Sequence, residues 1–281
     1  MSLRIDAHQH YWQPKRGDYD WMPKGHAVLD RPWMPVDLAP SLEKYRVAKT
    51  VLVQAAATVN ESEYLLGIAD ATPSVAGVVG WVNFTDRNEL RQLERLARHP
   101  KFCGVRPMIQ DIADVNWILR KDIAWAFDAL MDLDLTFDAL GFPIHLANFL
   151  AIIRRYPKLR VVLDHCMKPH IRSQMAGEDV FSSWAAGIKR IADSTQAFCK
   201  FSGIVTEANA NWTIDDLAPF AAHVFACFGA DRLMWGSDWP VCQLQSSYDR
   251  WFDTAETLLS AATMPQQNAV FGGTAARFYR I

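Results

Sequence analysis

The chain has 281 residues, half of them hydrophobic, with a net charge of −2 and an isoelectric point near 6.4. That length suffices for one large core, and the scattered Lys and Arg form no basic stripe, which argues against nucleic acid or an anionic membrane as partner. The five cysteines (Cys103, Cys166, Cys199, Cys227 and Cys242) lack C-x-x-C spacing, and neither a leader nor an apolar run of about 18 residues is found, so a cytoplasmic protein acting on a small molecule is expected, without a disulfide framework or structural zinc.

The first apolar run, 4–10, contains Asp6-Ala7-His8-Gln9-His10. In an extended strand residues two apart share a face, so His8 and His10 would present two imidazoles together, an arrangement suited to a divalent metal or a polarised carbonyl. Residues 11–40 form a long connection rich in Trp, Pro and Gly, expected to hang over the mouth. Further runs follow near 49–55, 75–84 and 102–109, carrying Gln54, Trp81 and Arg106 towards their ends. Asp86 opens a helical pattern that stops before Pro100, and a second, from His145 to Tyr156, stops before Pro157. Runs near 135–142, 160–167 and 198–205 come next; the second ends in Leu163-Asp164-His165, the third in Ser202. The last run, 232–240, is Leu233-Met234-Trp235-Gly236-Ser237-Asp238-Trp239-Pro240, which puts a carboxylate where a buried strand stops. The tail, with Gly272-Gly273, reads as a broken helix that closes the barrel.

Eight strands alternating with helices predict a single α/β domain over 1–281, a (β/α)8 TIM barrel, because closure leaves no exposed edge. In such a barrel the carboxyl ends of the strands hold the active site. His8, His10, His165 and Asp238 are therefore the candidate catalytic residues. Arg106, Gln54, Trp81, Trp12, Lys168, Ser202 and Trp239 end or follow strands and are expected to contact substrate. Asp6 and Asp164 alternate away from the histidines and are expected to tie down backbone or neighbouring strands. Cys166 and Ser237 are read as structural rather than nucleophilic.

Together, Ile5-Asp6-Ala7-His8-Gln9-His10, Leu163-Asp164-His165-Cys166-Met167-Lys168-Pro169, Leu233 to Pro240 and the Gly272-Gly273-Thr274-Ala275-Ala276-Arg277 tail resemble the amidohydrolase superfamily, in the branch that opens sugar, pyrone or muconate lactones. The resemblance implies a hydrolase of the amidohydrolase TIM-barrel type. Metal-rich members bridge two ions with a Lys or Glu from a middle strand; Cys103 to Arg106 and Phe137 to Leu140 offer no such match, so a binuclear centre is not expected. One divalent ion, zinc foremost, on His8, His10 and Asp238, with His165 as a further candidate ligand, suits the donor set and leaves a position open. The branch also contains metal-independent members, and turnover without metal is the favoured expectation.

Lactone hydrolysis requires a base for water and stabilisation of an oxyanion. Asp238 fits the base, with the three histidines polarising the carbonyl. Amide, hydroxyl, guanidinium and indole groups suit a neutral aldono-1,4- or 1,5-lactone, whereas a dicarboxylated pyrone would want more cations than Arg106 and Lys168. A metal-dependent decarboxylase of the same superfamily and a non-catalytic sugar-binding barrel are the alternatives. Oligomeric state is open.

Overall fold

Each of the eight apolar runs contributes one parallel strand in the computed structural model, which describes residues 3–281. The strands are β1 (Arg4–Gln9), β2 (Val47–Val53), β3 (Val75–Gly80), β4 (Phe102–Val105), β5 (Thr136–Ala139), β6 (Arg160–Leu163), β7 (Phe198–Phe201) and β8 (Leu233–Trp235), hydrogen-bonded in sequence order. The ring closes beyond the end of β8. There the His10 amide donates to the Trp239 carbonyl (2.7 Å) and the Asp238 amide to the His8 carbonyl (2.8 Å). Closure thus fixes the relative height of three candidate site residues.

Apart from β2, the strands are shorter than the apolar runs, and most of the excess lies at their carboxyl ends. Val82, Phe84 and Trp239 lie past β3 and β8 yet are buried. Hydrophobicity reports burial rather than strand pairing, and at the mouth of a barrel the loops too are covered. Helices α1 (Pro35–Lys44), α2 (Val59–Ala71), α3 (Leu90–Ala97), α4 (Ala124–Asp132), α5 (Leu146–Arg155), α6 (Ile171–Met175), α7 (Phe181–Ser194), α8 (Ile214–Arg232), α9 (Tyr248–Leu258), α10 (Met264–Asn268) and α11 (Thr274–Tyr279) alternate with the strands or follow them. No helix among the described residues is long and apolar enough to cross a membrane.

The irregular connection after β1 ends earlier than its composition suggests. Pro35 begins α1, where a missing amide hydrogen leaves no bond unmade, and Asp37 accepts from the Met34 amide (2.8 Å). Trp12 and Trp33 pair through two backbone bonds of 3.0 Å, which gathers the intervening residues into a closed loop. The Trp21 indole N–H donates to the Ala55 carbonyl (2.6 Å), anchoring that loop to the end of β2.

Glu61 holds the same loop from the other side. Buried in the first turn of α2, its carboxylate accepts from the amides of Ala55 (2.9 Å) and Ala56 (2.6 Å). Burial pushes its carboxyl up from 4.5 to about 8, against the opposing pull of those amides. The folded chain therefore keeps a proton that the unfolded chain releases, and the resulting stability is present below 4.5 and lost as pH rises through about 8. Melting temperatures taken from pH 6 to 9 are expected to fall more steeply for the wild type than for Glu61→Gln; parallel slopes would contradict the assignment.

At the opposite end of the barrel, Ala275, Phe278 and Tyr279 pack on Ile5, Ala7, Val51, Val53, Val79, Val162 and Met234. The tail thus plugs the barrel from below, and its Tyr279 hydroxyl donates to Asp138 Oδ2 (2.7 Å).

Candidate active site

Four side chains from three strand ends converge at the mouth. Asp238 Oδ1 lies 3.3 Å from His10 Nε2, 3.8 Å from His8 Nε2 and 3.9 Å from His165 Nε2. All four residues are at most 4 % exposed. Local backbone makes this convergence possible. A register shift in β1 between Asp6 and Gln9 lets Ala7 pack in the apolar plug while His8 faces the site. His165 and Asp238 both adopt left-handed backbone, with φ of 52° and 56°. Cys166, Met167 and Lys168 continue that conformation after His165, each at a cost of about 1–2 kcal/mol that the surrounding fold must offset. Part of that support is the Trp184 indole donating to the Cys166 carbonyl (2.8 Å). Gly203 supplies the space: a Cβ there would sit 2.5 Å from His165 Nδ1. Asp6 secures the other side, its Oδ1 accepting from the amides of His8 (3.2 Å) and Ser237 (2.8 Å).

Beneath the histidines lies a buried charge layer. Lys200 Nζ, on β7, is 2.6 Å from Asp138 Oδ2, 3.0 Å from Asp164 Oδ1 and 3.0 Å from His8 Nδ1. Asp164 also lies 3.4 Å from Arg106 Nη1, so it belongs to this layer; it ties down the neighbouring β7 through Lys200, as expected, but on the histidines' side rather than away from them. The alternation rule failed there because β6 ends at Leu163 and the chain turns left-handed. An ammonium can only donate, so His8 Nδ1 accepts from Lys200, while its Nε2 faces His10 Nε2 at 3.2 Å and Arg106 Nη1 at 3.3 Å. His10 Nδ1 in turn donates to the Val53 carbonyl (2.7 Å). Lys200, His8, His10 and Val53 are thus joined in one continuous series of polar contacts.

Residues 5–281 match the amidohydrolase family. The chain belongs to that family. It is 41 % identical to an L-fucono-1,5-lactonase of Burkholderia ambifaria over 285 residues, covering 100 % of this chain and 97 % of the relative. A second L-fucono-1,5-lactonase, from Burkholderia multivorans, is 36 % identical with the same coverage. Among solved structures, an amidohydrolase from Burkholderia multivorans with bound zinc superposes with a TM-score of 0.92 at 34 % identity, over 100 % of both chains.

The electrostatics of this amidohydrolase keep carboxylate and imidazoles in opposite states. Burial lowers the pKa of all three histidines, that of His165 to about 4, so each ring is neutral near pH 7. Burial would raise Asp238, but the facing His165, His10 and His8 outweigh it and hold the carboxyl well below the usual range. Asp164 is likewise held low, because Lys200 and His8 outweigh burial, whereas burial prevails at Asp138 and raises it. One ionised carboxylate therefore faces three neutral imidazoles.

Donor atoms of His8, His10 and Asp238 lie within 4.8 Å of one another, as do those of His8, Asp164 and His165. Two imidazoles and a carboxylate fit a single divalent ion with a position left open. Loading the first set requires each imidazole to offer an unprotonated nitrogen, so any proton held there must leave as the ion binds.

A chamber of about 100 Å³ above these groups is lined by His10, His165 and Asp238 together with Trp12, Trp21, Arg106, Gln110 and Lys168. The structure thus brings Trp12, Arg106 and Lys168 to the mouth. Gln54 and Ser202 stand behind it: Gln54 Nε2 donates to the Arg106 carbonyl (2.5 Å) while Arg106 Nη2 donates to the Gln54 carbonyl, and Ser202 Oγ bonds His165 Nδ1 (2.9 Å). Trp239 is buried against Trp33 and Tyr11, and Trp81 lines a neighbouring cavity. Sequence reasoning missed Lys200, Asp138 and Tyr279. A signal existed, since Phe198-Cys199-Lys200-Phe201 and Thr136-Phe137-Asp138-Ala139 each place one charge inside an otherwise apolar strand.

Proposed function

We propose that this amidohydrolase opens the ring of a neutral sugar lactone, a six-carbon aldono-1,5-lactone foremost. The carrying observation is the ionised Asp238 set 3.3–3.9 Å from three neutral imidazoles at the mouth of the barrel. The names of its fuconolactonase relatives support the same substrate class. Arg106 and Lys168 are the only cations lining the chamber, which favours a polyhydroxylated neutral ring over a dicarboxylate. We place the reaction in the cytoplasm, where free thiols such as those of the buried Cys166, Cys199 and Cys242 persist.

In this reading Asp238 accepts a proton from water as the water oxygen bonds to the lactone carbonyl carbon. Arg106, which lines the chamber beside His10 and His165, stabilises the oxyanion. The tetrahedral adduct collapses with cleavage of the ring C–O bond, and the proton returns from Asp238 to the leaving alkoxide. His10 and His165 lie close enough to relay that proton. The acid product ionises, so each turnover releases one proton. A divalent ion on His8, His10 and Asp238 would supply Lewis-acid polarisation of the carbonyl. A lactone is an activated ester, and we infer that turnover proceeds without the ion.

The test is a panel of L-fucono-1,5-lactone, a pyrone dicarboxylate and a hydroxybenzoate, assayed for acid or carbon dioxide release before and after chelation. Acid release from the neutral lactone that survives chelation is expected; pyrone opening alone, or carbon dioxide from the aromatic acid, would overturn the reading. Zinc added to the chelated protein is expected to bind at one site with release of protons, measured with an indicator dye. That binding is expected to vanish in His10→Ala, and an unchanged zinc content would place the metal elsewhere.

A further inference from the structure

Beside the catalytic chamber lies a second, larger cavity of about 640 Å³, a size typical of small-molecule sites. It opens between the loop after β1 and the loops that follow β2, β3 and β4. Trp21 and Met108 line both spaces, so the two adjoin. The mechanism uses none of the groups found solely in the larger one.

Its lining has a definite chemistry. Trp21, Trp81 and Trp117 contribute indoles, and Asp18, Asn83 and Asp111 contribute polar groups. Trp21 is 37 % exposed, an unusual position for so large an apolar ring, and its N–H is already committed to Ala55, which leaves the ring itself for contact. Trp117 is stacked on Phe84 with centroids 6.2 Å apart and is fixed in place. Asp18 Oδ2 is held by Arg16 (2.8 Å) and Thr58 (3.2 Å), while its buried Oδ1 has no hydrogen-bond partner. Among the described residues three carboxylates, Asp18, Asp20 and Asp111, line the cavity, and no Lys or Arg does. Such walls repel phosphates and carboxylates. Aromatic rings beside hydrogen-bond acceptors instead suit a neutral sugar, whose C–H surface packs on indoles and whose hydroxyls donate to carboxylates.

We propose that this annex is a glycosyl subsite, so that the enzyme accepts aldonolactones bearing a neutral sugar substituent, with the lactone over Asp238 and the substituent among Trp21, Trp81 and Trp117. This rests on the lactonase reading.

Lactobiono-1,5-lactone, which carries a galactosyl group, is compared with D-glucono-1,5-lactone, which does not, and L-fucono-1,5-lactone serves as the control for lactonase activity. The glycosylated lactone is expected to show a kcat/KM about tenfold above that of gluconolactone, a step of the size expected from one well-packed aromatic contact. Ala57→Trp puts an indole into the annex from an exposed position and leaves the catalytic chamber untouched. It is expected to erase that advantage and to keep hydrolysis of L-fucono-1,5-lactone within about twofold. Equal or poorer use of the glycosylated lactone, or an advantage that persists in Ala57→Trp, would overturn the subsite while leaving the lactonase reading intact. If no lactone is opened, the lactonase reading fails, and the annex is then judged by binding of lactose. Saturable tryptophan quenching that Ala57→Trp abolishes would support a saccharide site, and absence of quenching would refute it.

Discussion

Asp238→Asn is expected to lower kcat for lactone hydrolysis by about 10³-fold, the middle of the range for loss of a positioned acid or base. The substitution keeps side-chain shape and removes the only group in the chamber that is both ionised and able to accept a proton from water. Its backbone φ of 56° is one that Asn tolerates nearly as well as Asp, so the fold should not pay for the exchange. The neighbouring imidazoles respond in a known direction. Asp238 partly offsets the burial that lowers His10 and His165, so without it both rings remain neutral and cannot substitute as acids. Steady-state rates and melting temperature together check this: an Asn variant within tenfold of wild type, at equal stability, would assign the base elsewhere.

Lys200→Met is expected to be the most damaging single change to stability. Lys200 is fully buried and, among the described residues, is the only cation that touches both Asp138 and Asp164. Breaking such a set by removing one partner typically costs about 3–5 kcal/mol, because the remaining charges stay buried. For a chain of this size that corresponds to a melting temperature lower by roughly 10 °C. The pH dependence has a definite sign. Lys200 lowers the pKa of both carboxyls, so its loss raises them in the folded state. Acids raised in the folded state contribute stability at low pH and lose it as pH rises, so the deficit should be smaller at pH 5.5 than at pH 8. Asp138→Asn in the same chain should recover part of the loss. A deficit that is small and flat with pH would show that the layer is not an ionic unit.

The barrel was legible because a parallel strand covered on both faces reads as a continuous apolar run, and eight such runs were present. The site was legible where polar groups stood at the ends of those runs, as at His8, His10, His165 and Asp238. What escaped was of two kinds. Lys200 and Asp138 are 62 residues apart, and the pairing of β5 and β7 on either side of β6 brings them within 2.6 Å. The left-handed backbone at His165 and Asp238 carries no glycine to announce it, since tertiary packing imposes it. Past Leu163 the period of two no longer applies, because the backbone turns left-handed at His165 and brings that histidine to the same side as Asp164. Trp81 follows the end of β3 at Gly80 in the same way, and its side chain lines the annex rather than the chamber.

The most direct test of the account is the initial rate of acid release from L-fucono-1,5-lactone, measured side by side for wild type and Asp238→Asn after chelation. The account predicts release well above the buffer rate in the wild type and near the buffer rate in the variant. Equal rates in the two proteins, or no catalysis by the wild type, would contradict it.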